Sequence, residues 1–197
     1  MKASILLLLL AVYTTAHAQD HSQHNTISGY ADSVNAGLIT RDTVKTSPKR
    51  TAMATVAGTH IHIEYGSPGV RGRMIWGGLV AYNQVWATGA HKATTVDFST
   101  DVTINGKKIK AGKYALFTIP GETTWTLIIN SKFDQHLADE YNAAEDLVRV
   151  IVKPVKLKKQ VQRLTYTVSP TRQQEAAIQI SWDYLMVSLP IQLKPVQ

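Results

Sequence analysis

The chain has 197 residues, with 21 Lys and Arg against 14 Asp and Glu for a formal charge of +7, and it contains no cysteine. That excludes a disulfide, a thiolate nucleophile and a lipid carried on an amino-terminal cysteine; the length favours one domain, since about 150 residues bury roughly 70% of their unfolded surface in a single core. The positive balance does not point to nucleic acid. Lys107, Lys108, Lys110 and Lys113 surround a predicted hairpin and Lys153, Lys156, Lys158 and Lys159 follow a strand, with no aromatic stacking platform between them.

Residues 1–18 have the pattern of a cleavable signal peptide: Lys2, an apolar run over 5–12, and Ala16-His17-Ala18 as a small-x-small cleavage site. The run falls short of the roughly 20 residues a bilayer span needs, and no later segment approaches that length. The expectation is export to the periplasm or the extracellular space, with no transmembrane segment in the mature chain. Residues 19–46 are polar and lack an apolar period, as in a flexible lead-in.

From residue 47 to 194 the pattern has a period of two. Ile61, Ile63 and Tyr65 alternate with His60, His62 and Glu64. The same alternation recurs at Val96/Phe98, Trp125/Leu127/Ile129, Val148/Val150/Val152, Leu164/Tyr166/Val168, Ile178/Ile180/Trp182 and Val187/Leu189/Ile191/Leu193. Successive strand side chains point to opposite faces, so each series predicts a half-buried strand. Asn105-Gly106 between two short strands predicts a hairpin with Val102 opposite Ile109 and Ile104 opposite Lys107. Residues 134–141 alone look helical, and Pro190 suggests an edge position because proline cannot donate to a ladder. About nine strands with antiparallel hairpins and one short helix predict a mainly β fold, an antiparallel β-sandwich.

The stretch 64–93 breaks this pattern with six glycines, two tryptophans, two arginines and a histidine. Such glycine density implies tight turns or close backbone approaches, and a functional loop would sit there. Its candidate ligand-binding residues are Arg71, Arg73, Trp76, Trp86, Thr88 and His91. The two guanidinium groups suit a carboxylate, sulfate or phosphate, and the indoles suit a ring. The alternative is structural: arginines pinning the loop to Glu64, Asp97 or Asp101, and indoles packed as core.

Metal binding is a separate reading. His60 and His62 share a strand face with Glu64, and His91 or His136 could complete a zinc or copper set; the chain carries no established cofactor motif. Cleavage after Ala18 would begin the mature chain Gln19-Asp20-His21, whose amine, two amides and His21 imidazole would suit Cu(II) or Ni(II). Catalytic signatures are thin: no nucleophile elbow, phosphate loop, zinc-protease helix or dinucleotide fingerprint occurs. Glu64 with Asp97 or Asp101 would be the carboxylate pair for sugar hydrolysis.

Several motifs occur together in order: Tyr65-Gly66-Ser67-Pro68, Val70-Arg71-Gly72-Arg73, Ile75-Trp76-Gly77-Gly78, Val85-Trp86-Ala87-Thr88-Gly89-Ala90, the VTINGKK of residues 102–108, Ala111-Gly112-Lys113-Tyr114 and the LFTIPG of residues 116–121. On these the chain resembles the secreted bacterial proteins of domain-of-unknown-function family 2911, over about residues 47–193. The resemblance implies a bacterial envelope or secreted setting and a mainly β domain, and supplies no activity, substrate or catalytic residues. It departs from the family pattern at Ala87 and Ser67, where arginine often stands, and at His91, where asparagine does. The reading is an exported binding or interaction module rather than an enzyme, its partner a small molecule or an envelope protein; the alternative is a metal-binding protein or metal-dependent enzyme using clustered histidines.

Overall fold

Strand alternation resolves into two antiparallel sheets in a computed structural model that describes residues 29–194. The predicted signal peptide and His21 lie outside the described residues. The larger sheet uses β1 (Lys49–Val56), β2 (Thr59–Gly66), β3 (Thr95–Phe98), β6 (Gly112–Ile119), β7 (Trp125–Asn130) and β8 (Asp146–Val152), in the order β1-β2-β3-β6-β7-β8. The smaller uses β4 (Val102–Ile104), β5 (Lys107–Ile109), β9 (Val155–Arg172) and β10 (Glu175–Leu193), in the order β5-β4-β10-β9. The predicted sandwich is what the chain forms. Ile61, Ile63, Phe98 and Leu127 of one sheet and Leu164, Ile178, Val187 and Leu189 of the other share one buried cluster, while His60 is exposed.

The Asn105-Gly106 hairpin has the predicted register, Val102 opposite Ile109 and Ile104 opposite Lys107. Both turn residues are left-handed (φ 48° and 74°), the geometry of a type I′ turn. β10 departs from a simple strand. Its last residue, Leu193, donates its amide to the carbonyl of Gln174 at 2.8 Å, whereas an extended strand of that length would separate its ends by about 60 Å. β10 therefore doubles back, and the left-handed Asp183 (φ 52°) lies where it turns. Pro190 sits on the returning arm, which is interior in strand order. β10's ladder with β4 covers only Gln192 and Leu193, so no β4 carbonyl waits for the missing amide of Pro190.

The helix is not where the sequence placed it. Residues 134–141 form irregular turns with Leu137 left-handed (φ 48°), and a single 3-10 turn follows at Ala143–Glu145. Leu137, Ala138 and Tyr141 pack on Ala115, Phe117 and Ile128, an apolar patch on the outer face of β6 and β7. Tertiary packing overrides the weak local helix preference there. The α-helix is α1 (Tyr30–Ala36), inside the segment read as a flexible lead-in. It buries Tyr30, Ala31 and Val34, and Gly37 (φ 81°) ends it with amides at 37 and 38 bonded to Val34 and Ser33 carbonyls. Asn35 bonds both the carbonyl and the amide of Arg163 on β9 (3.0 and 2.8 Å).

Residues 42–46 then wrap the buried Arg163 side chain. Its guanidinium donates to Asp42 Oδ1 (2.7 Å) and to the carbonyls of Val44 (2.6 Å), Thr46 (3.2 Å) and Ser67 (3.0 Å). A cation with no solvent contact must be met by such a cage. Among the described residues no helix is long and apolar enough to cross a membrane.

Candidate ligand pocket

The glycine-rich excursion leaves β2 at Gly66 and rejoins the sheet at β3. Ser67 is fixed at once: its amide donates to Pro48 O (2.9 Å) and its hydroxyl to Leu164 O (2.7 Å). Val70 N to Gln162 O (2.7 Å) and Leu164 N to Pro68 O (3.0 Å) lace the next residues to β9. Arg73 turns inward on its own loop and donates to the carbonyls of Gly69 and Val70, while Arg71 stays exposed. Neither arginine pairs with Glu64, Asp97 or Asp101, the acidic partners the sequence offered.

Trp125 and Trp182 are buried core, and Trp76 and Trp86 are half-buried and packed against it. Trp76 lies edge-on to Trp125 (centroids 4.7 Å apart, 67°) and Trp182 (5.8 Å, 82°), and Trp86 stacks on Trp182 (5.7 Å, 23°). These are the offset and edge-to-face geometries that aromatic quadrupoles favour. Trp86 also exchanges backbone hydrogen bonds with Thr118 on β6 (2.8 and 3.0 Å), so it continues the line of β3 beyond an interruption. Residues 88–93 bulge out of that line as a lobe. Thr88 anchors it from inside: its hydroxyl donates to Trp86 O (3.1 Å) and is bonded with the Thr118 hydroxyl (3.0 Å), and its carbonyl accepts from Tyr166 Oη (2.7 Å) and Thr94 Oγ1 (3.0 Å). Burial pushes the Tyr166 phenol well above its ordinary value, so it stays a donor.

Among these candidates Thr88 is buried and Trp76 and Trp86 pack on each other (centroids 5.9 Å apart, 75°), while the exposed Arg71 lines a groove with Asp42, Gly72 and Gln162. The lobe closes a separate pocket, of about 370 Å³, over the outer face of β2, β3 and β6. Of the six candidates only His91 lines it. Tyr65, Gly66, Ala90 and Ala93 supply apolar or backbone lining, Phe133 and Asp134 come from the turn after β7, and Lys49, Glu64, Lys92 and Lys113 supply the charge. The lobe seats closely because residue 66 is glycine: a Cβ there would lie 2.3 Å from Ala90 O.

Glu64 organises the charges. Its Oε1 lies 3.0 Å from Lys49 Nζ and its Oε2 3.0 Å from Lys113 Nζ. Those hydrogen bonds, that to Lys49 the larger effect, hold the Glu64 carboxyl at about 2, so it is ionised at any ordinary pH. Lys113 Nζ also stands 6.0 Å from the centre of the Phe133 ring, within cation–π range. Lys92 reaches Asp134 at 3.3 Å.

The carboxylates do not suit acid catalysis. A general acid needs a raised pKa, whereas Glu64 is held low and Asp101 is held low by the Ala111 amide and by Lys110, Lys108 and Lys194. Nor do the histidines converge. His60 bonds Thr55 Oγ1 (3.1 Å) and its ring centre is 6.2 Å from that of His62. His91 and His136 lie together at the lobe, where Leu137 N donates to His91 O (3.0 Å), and His136 Nδ1 pairs with Asp139 (2.8 Å). The lobe seats on Gly66, six residues along β2 from His60, or about 20 Å of strand. Among the described residues no three His, Cys, Asp or Glu side chains gather as a metal-holding group.

The model of the family described as Protein of unknown function (DUF2911) matches residues 47–191. The chain belongs to that family. No curated protein and no solved structure matches it. Every pocket residue named above lies within the DUF2911 stretch, whereas α1 and the strap over Arg163 precede it. Lys49, Lys113 and Phe133 were missed from sequence because they come from separate strands and a distant turn. The signal present was Glu64, a carboxylate on the exposed face of an otherwise clean strand.

Proposed function

We propose that this DUF2911 protein is a non-catalytic, exported binding module whose ligand site is the pocket over β2, β3 and β6. The observation that carries the reading is a cavity of about 370 Å³, within the size range of small-molecule sites, in which Glu64 already holds two lysines in place beside an aromatic wall. Pre-ordered polar groups on an apolar lining lower the entropic cost of binding. The absence of a carboxyl tuned as an acid at Glu64 or Asp101 fits binding better than hydrolysis. The amino-terminal Lys2, apolar run and Ala16-His17-Ala18 support export to the periplasm or beyond.

The test is amide chemical-shift mapping of the mature protein with two fragment-sized probes, 2-naphthamide and 2-naphthoate. Saturable shifts centred on Gly66, Ala90, Ala93 and Phe133 are expected with at least one of them. Shifts confined to other surfaces, or none with either probe, would overturn the assignment.

A further inference from the structure

The lining holds more charge information than size alone. Its ammonium groups are Lys49, Lys92 and Lys113, against the carboxylates Glu64 and Asp134, which leaves one positive charge in excess before His91 is considered. Glu64 is spoken for on both oxygens, one lysine on each. An ammonium has three donors, and Lys49 and Lys113 each spend one on Glu64. Among the described residues the remaining donors have no anionic partner at the pocket, and Glu64 holds both ammoniums there against their mutual repulsion. A cationic ligand would have to displace one of them; an anionic ligand uses donors that are already oriented.

We infer, resting on the pocket assignment above, that the occupant is a small organic anion: a single carboxylate or equivalent oxyanion carried on a compact, largely apolar or ring-bearing body. The oxyanion bridges Lys49 and Lys113 through ammonium protons that Glu64 does not take. The body lies against Gly66, Ala90 and Ala93 with the Phe133 ring beside it. Glu64 is a positioning residue here, acting through the lysines rather than on the ligand. Its low pKa means that this arrangement persists through mildly acidic conditions.

Calorimetric titration of the mature protein with 2-naphthoate and its neutral counterpart 2-naphthamide tests this. The carboxylate should bind at least about tenfold more tightly, the expected return from hydrogen bonds to a charged group. Lys113→Met, which keeps the side-chain stem, should bring 2-naphthoate down to the level of 2-naphthamide. Lys49→Met should do so in part, and raising salt should narrow the gap between the probes. Equal affinity of the two probes for the wild type would overturn the anion inference and leave the pocket assignment standing. Binding of neither, or 2-naphthoate binding unchanged in both Lys113→Met and Phe133→Ala, would overturn the pocket assignment and this inference with it.

Discussion

Lys113 on β6 reaches diagonally across the whole of β3 to place its ammonium 3.0 Å from Glu64 on β2. In the ladder Lys113 stands opposite Asp97, and Asp97 opposite His62, so the side chain bridges one pleat as well as two strand spacings. With Lys49 arriving from β1, one carboxylate ties together side chains from three strands.

That arrangement has a pH signature. The Glu64 carboxyl falls from an ordinary 4.5 to about 2 in the folded chain, so its contribution is complete above pH 4.5 and fades as pH drops toward 2. The group is 29% exposed, so solvent screening leaves about 1 kcal/mol. Glu64→Gln should therefore be less stable than wild type by that amount at pH 6, and the gap should narrow to a small fraction by pH 2.5, read by thermal unfolding. A gap that persists at low pH would assign the loss to something other than the ion pairs.

Arg163 and Asp42 make a second, deeper pair, with 0% and 5% of their side chains exposed. Removing one partner of a buried pair leaves the other uncompensated, at a cost of about 3–5 kcal/mol. Asp42→Ala should lose that much in urea unfolding. Tyr30→Phe, which removes the hydroxyl that donates to Asp42 (3.0 Å) and accepts from the amide of Thr43 (3.0 Å), should lose about 1–3 kcal/mol. An Asp42→Ala loss below that of Tyr30→Phe would mean the pair does not hold the strap.

Trp182 lies under both loop tryptophans and is 1% exposed. Trp182→Ala should cost about 3–5 kcal/mol by emptying the buried side of the indole cluster. Near-ultraviolet circular dichroism should lose intensity beyond one tryptophan's share, because Trp76 and Trp86 each lose one packing partner as well. An unchanged spectrum from the remaining indoles would contradict the cluster.

Gly66→Ala probes the seat of the lobe. The added methyl would meet the Ala90 carbonyl, so residues 88–93 must shift, at a cost of about 1–3 kcal/mol. The same shift should weaken 2-naphthoate binding, and retained affinity with lowered stability would separate the lobe from the pocket.

Local patterns carried the architecture. The alternation of Ile61/Ile63/Tyr65 and the Asn105-Gly106 turn depend on near neighbours, and both strand faces and register were legible. The helix was not: Tyr30, Ala31 and Val34 are too few apolar residues to mark a period, and α1 owes its place to Asn35 and β9. Trp76 and Trp86 stayed open between two readings because an indole in a glycine-rich loop has the same sequence context whether it packs inward or faces solvent. Only the long-range meeting with Trp125 and Trp182 decides that. The pocket was hidden for the same reason, since Lys49, Glu64 and Lys113 become neighbours through three ladders whose pairing no single segment encodes.

Asp42 and Arg163 are 121 residues apart along the chain. During synthesis the acidic residue emerges early and waits, its counterion still unmade, until β9 has been translated. The strap thus serves as a latch that only a nearly finished polypeptide can fasten.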